Sequence, residues 1–253
     1  SVRRSAQAEA GFANQARRLL QVRSAARYEH NHKSGRLHKR SAYRVAMPTI
    51  NNGDWNSRIF KKRKVADILD TSVLVLVDWS GSMSGDKAAH ACEAAVLINE
   101  VFSKVLRMPL AVVSHAFTDR PNYGIIKDFD LPASSDQIRK RFGNFTGYMS
   151  GNDDHDALLF AYRTIRERKS KRKVIIALSD GSPADGYGGS DVYAALKETA
   201  ATIEGFKSVD LYGLGIMDDN VKRFYKRRSV LKNAGDLEAR LLELLSHIVT
   251  NEE

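Results

Sequence analysis

Three short segments of this 253-residue chain gather side chains that bind hard cations through oxygen. The first is Asp78-Trp79-Ser80-Gly81-Ser82, a D-x-S-x-S pattern directly after the apolar run 73–77. An aspartate at a strand end, followed by alternating hydroxyls, can aim three oxygens at one point if the chain turns sharply. Gly81 is read as the residue whose backbone freedom permits that turn. The second segment is Gly151-Asn152-Asp153-Asp154-His155-Asp156, and the third is Ser179-Asp180-Gly181-Ser182-Pro183, which follows another apolar run. Mg²⁺ takes near-octahedral oxygen coordination at about 2.0–2.1 Å and gives up its waters reluctantly. Serine hydroxyls, with Asp78 and Asp180 bound directly or through water, satisfy that demand and leave a position open. Two carboxylates roughly neutralise the ion, so an incoming carboxylate meets a cation whose charge is not already over-compensated.

Each segment also has a plainer reading. D-x-S-x-S alone describes a strand-to-helix turn in which Asp78 or a serine caps the next helix. Asp153, Asp154 and Asp156 suit a helix N-terminus, where the dipole favours negative charge. The second strand ending in Ser-Asp-Gly tips the balance towards a cation. Cys92 shares a small-residue helix face with Ala88 and Ala95 and reads as packing. His115, inside a strand, reads as a core or edge residue. Trp79 either borders a partner surface or packs beneath its loop.

The elements that must position these residues are legible from hydrophobic periodicity. The unbroken run Val73-Leu74-Val75-Leu76-Val77 reads as a central strand covered on both faces. Further strands are expected at 109–117, at 124–130 on an edge, at 173–178 and at 209–216. Helices are expected at 86–106, 156–167, 192–203 and 237–249. This alternation predicts an α/β fold with a doubly wound, mostly parallel sheet, and in such sheets ligands bind beyond the carboxyl ends of the strands. A basic extension with a helix over 9–28 precedes it. The expected organisation is thus an extension at 1–68 packed on a main domain at 69–253.

The D-x-S-x-S segment, the polar third-loop segment and S-D-G-x-P together resemble the metal-ion-dependent adhesion site of von Willebrand factor A domains. The resemblance implies that Asp78, Ser80, Ser82 and Asp180 hold Mg²⁺, or Mn²⁺ or Ca²⁺ in its place. It further implies that an acidic side chain of a partner completes the shell. The third-loop position falls on Asn152, five residues before Ala157-Leu158, where that family usually has threonine; Asp153, Asp154 and Thr146 are alternatives. More narrowly, the chain is similar to the C-terminal part of the T subunit of aerobic cobaltochelatase. The matching stretches are the helix near 13–26, Gly35-Arg36-Leu37, Asp70-Thr71, residues 179–183, Gly213-Leu214-Gly215-Ile216 and residues 220–227. This implies a non-catalytic subunit of an ATP-dependent metal-chelatase complex in cobalamin biosynthesis. Its expected partner is an AAA+ ATPase of the MoxR-like group, within a ring assembly.

Composition bounds the alternatives. There is one cysteine, so no internal disulfide, and no apolar run long enough to span a membrane. With no apolar stretch after Arg3-Arg4 to make a signal peptide, a soluble cytoplasmic protein is expected. The net charge of +10 divides into +13 on residues 1–64 and −3 on the remainder. Such a basic segment suits an acidic protein surface or nucleic acid; nucleic-acid association is the alternative function. No G-x-S-x-G elbow, Walker A loop or H-E-x-x-H helix is present, so no intrinsic catalysis or ATP hydrolysis is expected.

Overall fold

The computed structural model describes residues 28–41, 58–63, 70–145, 149–183 and 191–250, together with Gly11 and Asn14. They fall into two compact units, one within residues 20–67 and the other comprising the remainder. The helix expected over 9–28 lies outside the described residues except for Gly11, Asn14 and Tyr28, and so does Thr146.

In the smaller unit, β1 (Tyr28–His32) and β2 (Arg36–Leu37) flank β3 (Phe60–Arg63), and both pair with it antiparallel. Sequence reading placed these residues in the basic extension and expected no strands there. The strands carry no apolar alternation, and β3 pairs with residues far away in the chain, so periodicity within a short window is blind to them.

The larger unit is built on a six-stranded sheet. Its strands are β4 (Thr71–Asp78), β5 (Leu110–Phe117), β6 (Pro121–Lys127), β7 (Arg172–Ser179), β8 (Val209–Ile216) and β9 (Arg227–Leu231). The spatial order is β6-β5-β4-β7-β8-β9, parallel throughout except for the antiparallel edge strand β6. Every residue of β4 and β5 is buried. A fully buried valine or leucine contributes about 1.5–3 kcal/mol, so the strand that presents Asp78 is held firmly.

Helices cover both faces: α1 (Asp86–Ile98), α2 (Ser135–Phe145), α3 (Asp154–Arg166), α4 (Val192–Glu204) and α5 (Leu237–Thr250). Ala157, Leu158, Ala161 and Ile165 of α3 and Leu196, Ala200 and Ile203 of α4 form one core with Leu74, Leu76, Ile175, Ala177 and Leu211. Side chains alternate along a strand, so Val73, Val75 and Val77, equally buried, face the other layer, where α1 and α5 meet. The chain leaves β4 for β5 on one side and later returns to β7 on the other. That reversal opens a crevice at the carboxyl ends of β4 and β7.

Several boundaries differ from expectation. The helix expected over 86–106 is α-helical only to Ile98 and then winds more widely through Val105, with Leu106 N–H bonded to Val101 O. Buried Asn99 marks the change and donates from Nδ2 to Ala133 O at 3.2 Å. Helix α2 was not anticipated, although its signal is present. Ser134 and Gln137 bond reciprocally as a capping box, and Ile138 and Phe142 form its buried stripe. Strand β9 escaped notice because Arg-Arg-Ser-Val-Leu is a polar edge sequence. Among the described residues no helix is long and apolar enough to cross a membrane.

Candidate metal centre

Asp78 ends β4 with its side chain fully buried, and every contact it makes organises the crevice. Its Oδ1 accepts the Ser80 N–H at 2.9 Å, closing a tight turn. Its Oδ2 accepts the Ser179 hydroxyl at 3.0 Å and Asn152 Nδ2 at 3.3 Å. The carboxylate thus ties together all three loops singled out in the sequence. It does not cap α1, whose N-cap is Gly85 without a side-chain bond. Ser80 Oγ and Ser82 Oγ lie 3.0 Å apart, the separation of two adjacent ligands on an octahedral ion with bonds of about 2.1 Å. Ser80 is buried and Ser82 exposed, so the hydroxyl pair runs from the interior to the surface.

Gly81 owes its place to packing rather than to a special backbone angle. Its φ is not positive, but its N–H reaches Ser150 O at 2.5 Å, and a Cβ there would sit 3.3 Å from that oxygen. The third loop is further anchored by Phe117 N–H to Gly151 O at 2.7 Å. Gly181 is the residue that needs left-handed backbone, at φ 69°. A Cβ there would approach Val221 N to 2.6 Å.

From the third loop, Asn152 Nδ2 also reaches Asp154 Oδ1 at 3.0 Å and Ser182 O at 3.4 Å. Ser182 N–H in turn bonds Asp180 Oδ1 at 3.1 Å. Asp78, Ser80, Ser82, Asn152 and Asp180 therefore lie in one connected hydrogen-bond network. A half-turn of the Asn152 amide exchanges its donor for an acceptor at the same point. Asp153, buried, pairs with His155 Nδ1 at 2.6 Å, while Asp156 is more exposed.

Three residues join the centre that were not assigned to it from sequence. Lys87, on the first turn of α1, donates to Asp180 Oδ2 at 2.8 Å. His115 of β5 stands opposite Asp78 in the parallel register, with Nε2 at 3.6 Å from Asp154 Oδ1. Asp154, weighed earlier as a third-loop alternative and as a helix-end residue, is buried, and its Oδ2 has no hydrogen-bond partner. Burial pushes the Asp154 carboxyl well above the usual range, and the charges of Asp78 and Asp180 add to the effect. Burial also holds the His115 imidazole below its ordinary value, against the pull of Asp78. Trp79 packs beneath its loop, 4.7 Å from the Phe142 ring centroid.

This donor set fits a divalent cation. Three carboxylates, Asp78, Asp154 and Asp180, lie close together and almost wholly buried, and the Lys87 ammonium pairs with Asp180. Clustered buried carboxylates require either protons or a cation, and Asp154 Oδ2 has no hydrogen-bond partner.

A family model described as the cobalamin biosynthesis protein CobT VWA domain matches residues 113–251, more than half of the chain. The chain belongs to that family. The match to the CobT-type domain begins inside β5 and takes in the segments at 151–156 and 179–183. Solved structures share the fold. The PilB minor pilin of Streptococcus sanguinis aligns over 72% of this chain with a TM-score of 0.54 and 11% identity. A von Willebrand factor type A protein of Catenulispora acidiphila aligns over 71% at 0.50 and 18% identity. The manganese-loaded TRAP protein of Plasmodium vivax aligns over 72% at 0.51 and 14% identity. The aligned region spans 61% of the pilin, 42% of the Catenulispora chain and 74% of TRAP. These likenesses establish the von Willebrand factor A architecture of the CobT-type domain.

Proposed function

We propose that this CobT-type domain is a cation-dependent protein-binding module without catalysis of its own. Mg²⁺, or Mn²⁺ or Ca²⁺ in its place, would be held by Ser80 and Ser82 with Asp78 and Asp180, and by Asn152 once its amide oxygen turns inward. The bound ion supplies a Lewis-acidic attachment point for a carboxylate. The protein's own groups do the rest: Asp78 fixes the three loops, Ser179 orients Asp78, and exposed Ser82 marks the side from which a partner approaches. The observation that carries this reading is the single network joining all five residues at the switch point of the sheet. The manganese carried by the TRAP structure supports it.

Family membership directs the choice of partner. The acidic residue belongs, in this reading, to an AAA+ ATPase of the MoxR-like group or to its client. The chain then acts as a cytoplasmic, non-catalytic subunit of a ring-forming, ATP-dependent metal-chelatase complex in cobalamin biosynthesis. The +13 charge of residues 1–64 favours a second reading, association with nucleic acid.

The cation can be tested directly by titrating the chain into Mn²⁺ and following the paramagnetic resonance of the free ion. Wild type is expected to deplete that signal, and Ser80→Ala/Ser82→Ala to bind one ion fewer. Identical depletion by both proteins contradicts the assignment.

A further inference from the structure

Beside the hydroxyl pair lies a second set of donors, of which the adhesion-site reading uses only Asp78. The parallel register places His115 of β5 beside Asp78 of β4, and α3 brings Asp154 to the same point. One ligand atom from each of Asp78, His115 and Asp154 lies within 4.8 Å of the others. Exposures are 0%, 4% and 6% respectively, so the three form an interior cluster rather than a solvated acidic face.

A hydrogen-bonded ion pair does not account for it. The contact between His115 Nε2 and Asp154 Oδ1 is 3.6 Å, beyond hydrogen-bond reach. Asp154 Oδ2 is left buried and unpartnered, which for a carboxylate oxygen is costly unless something binds it. Two ligands on one metal ion with bonds of about 2.0–2.2 Å stand roughly 3–4 Å apart, and the His115–Asp154 distance falls in that interval. The chemistry differs from that of the outer position. Hydroxyls and carboxylates suit Mg²⁺ or Ca²⁺, whereas an imidazole nitrogen beside two carboxylates favours later first-row ions.

We propose that Asp78, His115 and Asp154 form a second, buried cation position for a borderline divalent metal of the Mn²⁺, Co²⁺ or Zn²⁺ class, sharing Asp78 with the outer position. The two carboxylates balance the charge of the ion, and the imidazole provides the selectivity. The two positions have Asp78 in common, but Ser80 and Ser82 take no part in the inner one, so the serine substitutions separate failure of this inference from failure of the adhesion-site reading.

The test is a Co²⁺ titration of the full chain, followed by visible absorption and calorimetry. The proteins are wild type, Ser80→Ala/Ser82→Ala, His115→Gln and Asp154→Asn. Wild type and the double serine variant are expected to develop the same cobalt absorption band. In His115→Gln and Asp154→Asn that band should be lost or shifted and the affinity of that component should fall at least tenfold. Thermal melts verify folding, and Asp154→Asn, nearly isosteric, decides the question if His115→Gln does not fold. An unchanged band and affinity in the folded variants overturn the proposal. So does cobalt binding abolished by the serine substitutions alone, which would place all the metal in the outer position.

Discussion

Lys87 sets the charge balance of the centre before any ion arrives. Its ammonium lies 2.8 Å from Asp180 Oδ2 while the lysine side chain keeps about a quarter of its surface exposed (28%). It therefore neutralises one carboxylate and repels an approaching cation. Removing that charge in Lys87→Met should tighten divalent-cation binding roughly threefold to tenfold, the scale of one partly screened charge interaction. Calorimetric titration checks this; weaker binding would mean that Lys87 holds Asp180 in place rather than competing for it. Cys92 makes a simpler prediction. Burial chiefly, with help from Glu93 and against Arg139, pushes its thiol up to about 12. The reactive thiolate is then scarce at neutral pH, and labelling by a disulfide reagent at pH 8 should run roughly a thousandfold slower than for a free thiol. Reactivity rises with pH as the thiolate forms, and in urea it should return to the ordinary rate. Fast labelling of the native chain contradicts the burial.

At the scale of elements, the centre depends on turns that bring three loop backbones close together. Gly181 combines φ 69° with a gap into which no Cβ fits against Val221 and Asn220. Gly181→Ala should cost about 1–3 kcal/mol, measured by chemical denaturation, and should loosen cation binding because Asp180 and Ser182 flank it. The same elements show what could be read in advance. Asp78 and Asp180 were legible because each follows an unbroken apolar run, and the two runs pair as β4 and β7. The serines followed from spacing alone. His115 was not legible, because its role arises from register with Asp78 across two strands, which no local pattern records. Lys87 depends likewise on where α1 begins relative to β7. Helix α2 could have been found from Ser134 and Gln137. Strands β1, β2, β3 and β9 could not, since their polar sequences carry no alternation and their partners are distant in the chain.

For the whole molecule, the alternation of strands and helices was enough to give the doubly wound sheet and the crevice at its switch point. The basic segment 1–64 poses a question that the centre does not answer. If it binds nucleic acid, affinity should fall steeply with salt as counterions are released; a flat dependence assigns its charge to protein contacts instead. The central claim concerns the cation as a bridge to an acidic partner. The most direct measurement is capture of a MoxR-like ATPase, the proposed partner, by wild type and by Ser80→Ala/Ser82→Ala, each in Mg²⁺ and in EDTA. Binding by wild type in Mg²⁺ alone, lost in the other three conditions, is the predicted result. Equal capture in all four would contradict the account and make the centre incidental to partner binding.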